Sequence, residues 1–387
     1  MKIFFKTLIF KISNFLNLIS SPFIKKDAVL FYGTNYKYID NPRYLFECAS
    51  KTKSNLNFIW VSYDKNISKY LKKKNYNYTN INSILYFYYI LKTKIIICSG
   101  MNIPPIFKDR YDVKKINLWH GYGPRSLNSF LYKNENEDAI FNGTEKNLLK
   151  QIQAWNYFVF SSKFIKEKLG KNIFGLKENQ CLVYGMSRVE NFFKKNSINY
   201  INKIYYKNYN KVILYAPTWR KKISQQQPLM KLIKNNIKKF DSFLNKKNYL
   251  FLYSGHHYEG NKDFKNVHNI KSYRNQKFTD INQILQNTDV LITDISSIIT
   301  DYALLKKKII FYIPDKMLLK KEIDFYNDFI KDLPGREIKS YKELILELNN
   351  DNYIKSKKLN FSNYLKKYYN EKLSKPNDNL IKLINQI

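Results

Sequence analysis

Short apolar runs, separated by longer polar stretches, constrain the fold of this chain more than any other feature. The runs are rich in Ile, Val, Tyr and Phe, and they are Ala28–Tyr32, Phe58–Ser62, Ile95–Cys98, Ile116–Trp119, Tyr157–Phe160, Leu182–Tyr184, Val212–Ala216, Tyr249–Tyr253, Val290–Thr293 and Lys308–Ile313. Stretches with helical spacing lie between many of them, namely Pro42–Ser50, Ile81–Leu91, Lys163–Leu169, Leu229–Asn245 and Asp280–Gln286. Strands that alternate with helices predict parallel βαβ units, and near-continuous apolar strands predict sheets covered on both faces.

The polar segment Lys194–Asn210, rich in Lys, Asn and Tyr, divides these runs into two sets. The chain has 387 residues, enough for about two domains of ordinary size. We therefore predict an α/β fold of two doubly wound, Rossmann-like domains that face a cleft. Their predicted limits are residues 27–205 and 206–387, and ligands should bind beyond the carboxyl ends of the strands.

The first 26 residues combine apolar and basic positions. Lys6 and Lys11 interrupt the apolar run, which disfavours a membrane-spanning helix, and neither an uninterrupted apolar region nor a small-residue cleavage site marks a signal peptide. On a helical wheel one half is apolar, formed by Phe4, Phe5, Leu8, Ile9, Ile12, Phe15, Leu16 and Ile19. Residues 1–26 therefore predict an amphipathic helix lying in a membrane interface, with a helix packed on the protein body as the alternative.

The charge of the chain has two interpretations. Lys and Arg number 67 against 31 Asp and Glu, which gives a net charge of +36. In one interpretation, the basic residues only form the solvated surface of a Lys- and Asn-rich chain. In the other, they attract anionic partners such as lipid headgroups, activated sugars, phosphate polymers or nucleic acid. No zinc-finger or RNP motif accompanies the charge, so it is the only argument for nucleic acid. Cys48, Cys98 and Cys181 are widely spaced and predict neither a disulfide framework nor a zinc site.

Four polar segments follow apolar runs at predicted strand ends. In chain order they are Asn117-Leu-Trp-His120-Gly-Tyr-Gly-Pro-Arg125, Leu214-Tyr-Ala-Pro-Thr-Trp-Arg220, Tyr253-Ser-Gly-His256-His257-Tyr258 and Thr293-Asp-Ile-Ser296-Ser297. The chain has no GxxxxGK[ST] sequence, which argues against a P-loop nucleotide hydrolase. It also has no Asp-x-Asp sequence, which argues against the metal-dependent nucleotide-sugar transferases, and we predict no metal site.

Each segment has a chemical and a structural interpretation. A histidine at position 120 can accept a proton near neutral pH, or it can simply cap a turn. The His256 segment suits phosphate binding, or it is a surface turn. Ser296 and Ser297 precede an apolar stretch, so they either help helix amides hold a phosphate or act as ordinary helix caps. Arg220 suits phosphate, and a surface arginine is the alternative.

Taken together and in this order, the four segments resemble the CDP-glycerol glycerophosphotransferase family, the teichoic acid primases and polymerases. Tyr215–Arg220 matches the family sequence Tyr-Ala-Pro-Thr-Trp-Arg in full, and Thr293–Ser297 matches Thr-Asp-Tyr-Ser-Ser except at Ile295. Asn41–Tyr44 and Gly185–Arg188 are also similar. The other two segments depart from the family: His120-Gly-Tyr-Gly-Pro has an altered turn, and Ser254-Gly-His-His lacks the Arg and Pro residues.

The resemblance implies a GT-B fold, with the acceptor on the N-terminal domain and a CDP-activated polyol donor on the C-terminal domain. It implies that His120, the general base, and His256, which holds the donor pyrophosphate, are the catalytic residues. The other residues implied at the donor phosphates are Ser296, Ser297, Thr293, Asp294, Arg220 and Thr218. Candidate acceptor or loop residues are Gly121, Arg125 and Arg188. CDP-glycerol is a substrate in this scheme, and no cofactor is expected.

The same resemblance implies a lipid-linked or polymeric glycan acceptor, a position at the inner leaflet of the cell membrane, and no nucleic-acid partner. Two other functions stay open at this stage. One is transfer from CDP-ribitol or another nucleotide sugar in capsule synthesis. The other is a non-catalytic basic protein that binds membranes or polyanions, which would show salt-sensitive binding and no turnover.

Overall fold

The computed structural model describes residues 24–100, 102–123, 145–193, 200–205, 207–218, 228–253, 267–272, 280–317, 319, 332–350, 353–369 and 375–387. These residues form two compact units. The first contains the described residues up to 120, residues 145–190 and residues 375–387. The second contains residues 121–123 and the described residues from 191 to 369.

The first unit is built on a parallel sheet with the order β3-β2-β1-β4-β5-β6-β7. Its strands are β1 Ala28–Phe31, β2 Asn57–Ser62, β3 Tyr78–Asn80, β4 Thr93–Cys98, β5 Lys114–Asn117, β6 Tyr157–Phe160 and β7 Cys181–Val183. Its helices include Asp40–Ala49, Lys65–Lys73, Ile84–Lys92, Glu145–Gln153 and Lys163–Ile165, the last continued by a π-helix over Lys166–Lys171. A 3-10 helix over Ser187–Phe193 follows β7.

The central strands of this sheet are covered on both faces. Val29, Leu30 and Ile96 have no exposed surface, as expected for strands that helices cover on either side. From β1 the chain builds the sheet outward to β3 and then crosses back to place β4 on the other side of β1. The direction of winding therefore reverses between β1 and β4, where doubly wound sheets bind their ligands.

The C-terminal helix Pro376–Gln386 belongs to the first unit although it ends the chain. It packs on the helix Asp40–Ala49 and buries Leu380 and Ile384. The backbone N–H of Asn377, in the first turn of this C-terminal helix, donates to the Glu190 carboxylate at 3.0 Å and holds that turn in place. These contacts place the end of the chain beside the turn that follows β7.

The second unit repeats the arrangement with the strand order β10-β9-β8-β11-β12-β13, again parallel throughout. Its strands are β8 Lys211–Tyr215, β9 Tyr249–Tyr253, β10 Ile270–Ser272, β11 Val290–Thr293, β12 Lys308–Phe311 and β13 Arg336–Glu337. Its helices include Tyr200–Tyr205, Pro228–Lys234, Ile237–Lys247, Ile281–Gln286, Ile298–Ala303, Tyr341–Asn349 and Tyr353–Tyr368. The switch point lies between β8 and β11.

The core of the second unit combines strand and helix side chains. Ile213, Phe251 and Ile292 from the strands pack with Phe240 and Leu244 from the helix Ile237–Lys247, and none of the five is exposed. At roughly 25 cal/mol per Å² of buried apolar surface, such side chains each contribute about 1.5–3 kcal/mol to stability. The apolar runs of the sequence are therefore the interior of this unit.

The predicted α/β class and the two doubly wound, Rossmann-like units are confirmed. Each of the ten apolar runs overlaps a strand, and the predicted helix over Leu229–Asn245 is two helices instead of one. The predicted amphipathic helix over residues 1–26 lies outside the described residues except for residues 24–26. In the part of the chain that is described, no helix has both the length and the apolar composition needed to cross a membrane.

Candidate active site

His120 lies just beyond the carboxyl end of β5, in a turn with unusual backbone geometry. Trp119 has a φ of 52° and Gly121 a φ of 134°. A large aromatic residue rarely adopts a positive φ, and such strain persists only where the surrounding structure imposes it. Trp119 is buried against its neighbours, whereas His120 is exposed, and the two rings lie 4.5 Å apart between centroids. The turn thus presents the imidazole while burying the residue before it.

Side-chain hydrogen bonds fix the backbone of this turn. The Asn41 amide donates to the carbonyl groups of Leu118 at 3.2 Å and Trp119 at 2.7 Å. The Ser99 hydroxyl donates to the Trp119 carbonyl at 2.5 Å, and the Trp119 N–H donates to the Asn117 side chain at 2.8 Å. Because Asn41 follows β1 and Ser99 follows β4, the switch point of the sheet supplies these groups.

A buried ion pair lies behind the turn. Arg188, which follows β7, donates through Nη1 to the Asp40 carboxylate at 2.5 Å and to the His120 carbonyl at 2.6 Å. Asp40 also accepts a hydrogen bond from the Thr34 hydroxyl at 2.8 Å, and it lies 2.9 Å from the Ser99 hydroxyl, whose single proton it shares with the Trp119 carbonyl. Asp40 is 8% exposed and Arg188 5% exposed, so the pair is shielded from water.

The charge state of Asp40 follows from these partners. Burial alone would raise the pKa of the Asp40 carboxyl, but the charges of Arg188 and His120 and hydrogen bonds from Arg188 and Thr34 outweigh burial. The pKa of Asp40 therefore lies below its usual value, and Asp40 is a carboxylate at neutral pH. The Asp40 carboxylate thus acts on the His120 imidazole together with the opposite charge of Arg188.

In the second unit, the ends of β8 and β11 are joined by side-chain hydrogen bonds. The Thr293 hydroxyl donates to the Ala216 carbonyl at 2.6 Å, and Thr293 has no exposed surface. The Asp294 carboxylate accepts from the Thr218 N–H at 2.8 Å and from the Thr218 hydroxyl at 2.6 Å, and Asp294 is 1% exposed. These contacts fix the two loops at the switch point of the second sheet.

Ser296 and Ser297 lie in the turn between β11 and the helix Ile298–Ala303, and both are half-buried. Within this described turn, Ser297 at the N-cap position makes no side-chain capping bond, and the Ser296 hydroxyl accepts from the Ile298 N–H only at the long distance of 3.5 Å. Their hydroxyl groups are thus not strongly engaged in capping.

Gly123 also lies against this turn. A Cβ atom at Gly123 would come within 2.6 Å of the Ser297 Cα and 2.8 Å of its Cβ. A distance below 3.0 Å to backbone leaves no room for a side chain, so the packing against Ser297 requires glycine at position 123. The close approach that glycine permits at this position is to the protein itself.

Some predicted site residues lie outside the described residues, namely Arg125, Arg220, His256 and the neighbouring His257. Their predicted roles therefore stay predictions. Within the described part of the chain, no three His, Cys, Asp or Glu side chains are grouped so that they could hold a metal ion.

Sequence reasoning missed Asp40, Ser99 and Thr34. Asp40 was indistinguishable from the acidic residues common in the first turn of helices, and Ser99 from a polar residue at a strand end. Thr34 and Ser99 lie within two residues of the apolar runs that form β1 and β4, which was the available signal, whereas Asp40 lies eight residues beyond Tyr32. The strand order places β4, and with it Ser99, beside β5, and the hydrogen bonds of Asp40 with Ser99 and Arg188 bring Asp40 to the turn that carries His120.

The fold is similar to that of a solved wall teichoic acid polymerase. The structure of the wall teichoic acid polymerase TagF, soaked with CDPG, superimposes with a TM-score of 0.78 over 99% of this chain and 97% of that chain. The sequence identity is 21%. The GT-B fold implied by the resemblance is thereby confirmed.

Two curated relatives are similar over part of their length. A teichoic acid poly(glycerol phosphate) polymerase from Bacillus spizizenii is 25% identical over 191 residues, which are 46% of this chain and 46% of that protein. A teichoic acid glycerol-phosphate primase from Bacillus subtilis is 27% identical over 157 residues, which are 40% of this chain and 39% of that protein. The chain thus matches less than half the length of either relative.

The sequence model of one family matches almost the whole chain, over residues 13–383. That match spans both sheets, the turn that carries His120 and the turn that carries Ser296 and Ser297. The chain therefore belongs to the CDP-Glycerol:Poly(glycerophosphate) glycerophosphotransferase family.

Proposed function

We propose that this chain is a CDP-glycerol glycerophosphotransferase that transfers glycerol phosphate from CDP-glycerol to a lipid-linked or polymeric glycan acceptor of the teichoic acid type. The observation that carries the proposal is the family match over residues 13–383. The site supports it, because the motif-bearing turns lie at the carboxyl ends of central strands in each unit.

The proposed reaction is a direct displacement at phosphorus. The acceptor hydroxyl forms a new bond to the β-phosphorus of the donor, the bond from that phosphorus to CMP breaks, and CMP leaves. His120 removes the hydroxyl proton, which suits an exposed imidazole in a fixed turn. Phosphoryl-type transfer needs little covalent chemistry from the protein, so positioning and charge stabilisation provide most of the acceleration.

The donor is assigned to the second unit. The half-buried hydroxyls of Ser296 and Ser297 are suited to hydrogen bonds with the pyrophosphate. Thr293, Asp294 and Thr218 support this role indirectly, because their hydrogen bonds to each other and to Ala216 hold the two loops. His256 and Arg220 complete the proposed donor set on the strength of the sequence.

Peripheral attachment to the cytoplasmic face of the membrane is part of the same proposal. It is supported by the one-sided apolar pattern of residues 1–26 and by the net charge of +36, which favours anionic lipid headgroups. A lipid-linked acceptor would be reached most easily from such a position.

The proposal is tested by variants of three histidines assayed with CDP-glycerol and a lipid-linked acceptor. His120→Ala should lower turnover by about 10²–10⁴ with donor affinity unchanged, because a general base acts only as the hydroxyl attacks. His256→Ala should weaken donor binding as well as turnover, because a phosphate ligand also contacts the ground state. Donor affinity is measured by calorimetry and turnover by donor consumption.

His257→Ala is the internal control and should be mild, since His257 is expected to point away from the donor. Turnover like that of the wild type in His120→Ala would contradict the assignment of the base. A severe effect at His257 with a mild effect at His256 would show that the donor-binding histidine is His257. Consumption of CDP-ribitol in place of CDP-glycerol would correct the donor.

A further inference from the structure

The turn that carries His120 is held by a buried polar network instead of by regular secondary structure. Successive carbonyl groups of Leu118, Trp119 and His120 each accept a hydrogen bond from a side chain of another segment. The donors belong to Asn41 and Ser99, with Arg188 binding the last of the three carbonyls. A four-residue strand ending in a strained turn thus obtains its geometry from groups distant in the sequence.

Asp40 is the common partner of these donors. Its carboxylate accepts from Arg188 Nη1 through one oxygen, and the other oxygen shares the single Ser99 hydroxyl proton with the Trp119 carbonyl. The same oxygen that binds Ser99 accepts from the Thr34 hydroxyl, and the oxygen that binds Arg188 accepts from the Asn41 N–H at 2.8 Å. Asp40 therefore orients the groups that hold the Trp119 and His120 carbonyls.

The backbone of Asp40 is itself strained, with a φ of 67°. Left-handed geometry is tolerated by Asp better than by most residues, but it still costs about 1 kcal/mol or more in ordinary settings. Strain of this kind next to a strained Trp119 indicates that the surrounding contacts impose a specific geometry on both segments. If Asp40 served only as an acidic residue at the N-terminus of its helix, this strained backbone geometry would not be needed.

We propose that Asp40 is a positioning residue for His120: it holds Arg188 and Ser99, and these hold the turn from which the imidazole is presented. This inference rests on the proposed function of His120 as the general base. In the scheme Asp40 acts through the groups that hold the turn. Its role lies in the geometry of the turn and in the negative charge that it places behind the imidazole.

The charge has a measurable consequence. The charged groups that the structure places behind the turn include Asp40 and Arg188, which largely offset each other. A carboxylate near an imidazole favours the protonated imidazole, and the charge of His120 in turn lowers the pKa of Asp40. Removing the Asp40 charge leaves Arg188 uncompensated, so the pKa of His120 should fall. A base with a lower pKa is deprotonated, and therefore active, down to a lower pH. The acid limb of the pH–rate profile should therefore move to lower pH.

The test is Asp40→Asn, followed by NMR titration of the His120 ring signal, which is assigned by its loss in His120→Gln. We expect the pKa of His120 to fall and, in the transfer assay, turnover to drop about 10²-fold, the usual cost of misplacing a catalytic group by about 1 Å. Donor affinity should not change. Because the titration needs no activity, an inactive wild-type protein would refute the proposed function without affecting this test.

The matched control is Asp112→Asn. Asp112 also pairs with an arginine, Arg110. It precedes the amino end of β5, whereas His120 follows the carboxyl end of the same strand. Its loss should leave the titration of His120 unchanged. An identical His120 titration in wild-type protein and Asp40→Asn would overturn the proposal.

Ser99→Ala decides the question if Asp40→Asn does not fold. It removes the hydroxyl that joins Asp40 to the Trp119 carbonyl and keeps the buried ion pair. We expect the His120 signal to shift or broaden and turnover to fall about tenfold, the equivalent of one ordinary hydrogen bond. An unchanged His120 signal in this variant would likewise overturn the proposal.

Discussion

Ser296 and Ser297 illustrate how the role of a residue depends on which hydrogen bonds it already makes. A serine before a helix usually accepts a hydrogen bond from the first turn, and its loss costs about 0.5–2 kcal/mol. In the described turn, Ser297 makes no such bond and that of Ser296 is long. Their hydroxyl groups therefore contribute little to capping the helix, which is consistent with the proposed role in binding a ligand.

Changing both Ser296 and Ser297 to Ala should accordingly weaken binding of CDP-glycerol while leaving thermal stability nearly unchanged. The reason is that the substitutions remove groups proposed to contact the pyrophosphate and no strong cap. Calorimetric donor titration and a thermal melt of the same protein give both quantities. A loss of stability with full donor affinity would show that the serines are structural.

Ser340 provides the matched control in the same unit. Its hydroxyl accepts from the Glu343 N–H at 3.2 Å and caps the helix Tyr341–Asn349. Ser340→Ala should lower stability by about 0.5–2 kcal/mol and leave donor affinity intact. The two substitutions thus separate capping from ligand binding.

The sequence singled out candidate chemical residues, whose roles stay predictions, but it did not reveal the residues that hold them in place. His120 and Ser297 follow apolar runs and belong to a motif, so both could be found from the sequence. The link between Asp40 and His120 joins residues 80 positions apart by sequence number, and no local pattern reports it. The need for glycine at position 123 also depends on packing against Ser297, which is distant in the chain.

Among the secondary-structure elements, strands that bury much apolar surface could be predicted from the sequence, and short edge strands could not. The central strands β1, β4, β8 and β11 are continuous apolar runs because helices cover both faces, and the sequence revealed them directly. The strands β3, β10 and β13 have only two or three residues, lie at sheet edges and were missed. Short edge strands carry too little pattern to be distinguished from loops.

The predicted helix over Leu229–Asn245 was divided for a local reason. The chain leaves the helix Pro228–Lys234 at two asparagines, and the next helix begins at Ile237 with Asn236 as its N-cap residue. Asparagine competes with helical hydrogen bonds and favours such positions. Apolar spacing continued across the break, so periodicity alone could not locate it.

The N-terminal segment supports a prediction at this scale. Deleting residues 1–23 removes most of the predicted amphipathic helix and keeps Lys26, whose ammonium group pairs with Asp112. We expect the shortened protein to move from the membrane fraction to the supernatant, because one apolar helix face and its lysines are lost. Its melting temperature should stay close to that of the full chain.

Replacing Lys6 and Lys11 with Gln is the companion experiment. It keeps the apolar face and removes two positive charges, so binding to anionic vesicles should weaken and depend less on salt, while binding to neutral vesicles is retained. Sedimentation of the shortened protein with membranes would show that attachment lies elsewhere in the chain.

For the whole molecule, fold and function rest on different observations. The GT-B fold is shown by a TM-score of 0.78 to TagF at only 21% identity, a similarity that by itself does not decide donor or acceptor. The family match over residues 13–383 is what points to glycerol phosphate. The altered sequences around His120 and His256 are the places where this chain departs from its family, and donor or acceptor choice should be tested there.

The nucleotide released from CDP-glycerol tests the central claim most directly. Wild-type protein is incubated with CDP-glycerol and a lipid-linked acceptor, and phosphorus NMR follows the products. Attack at the β-phosphorus releases CMP and forms a phosphodiester, whereas attack at the glycerol carbon releases CDP. The account predicts CMP and new phosphodiester in equal amounts. Release of CDP, or the absence of any nucleotide release in the presence of acceptor, would contradict it.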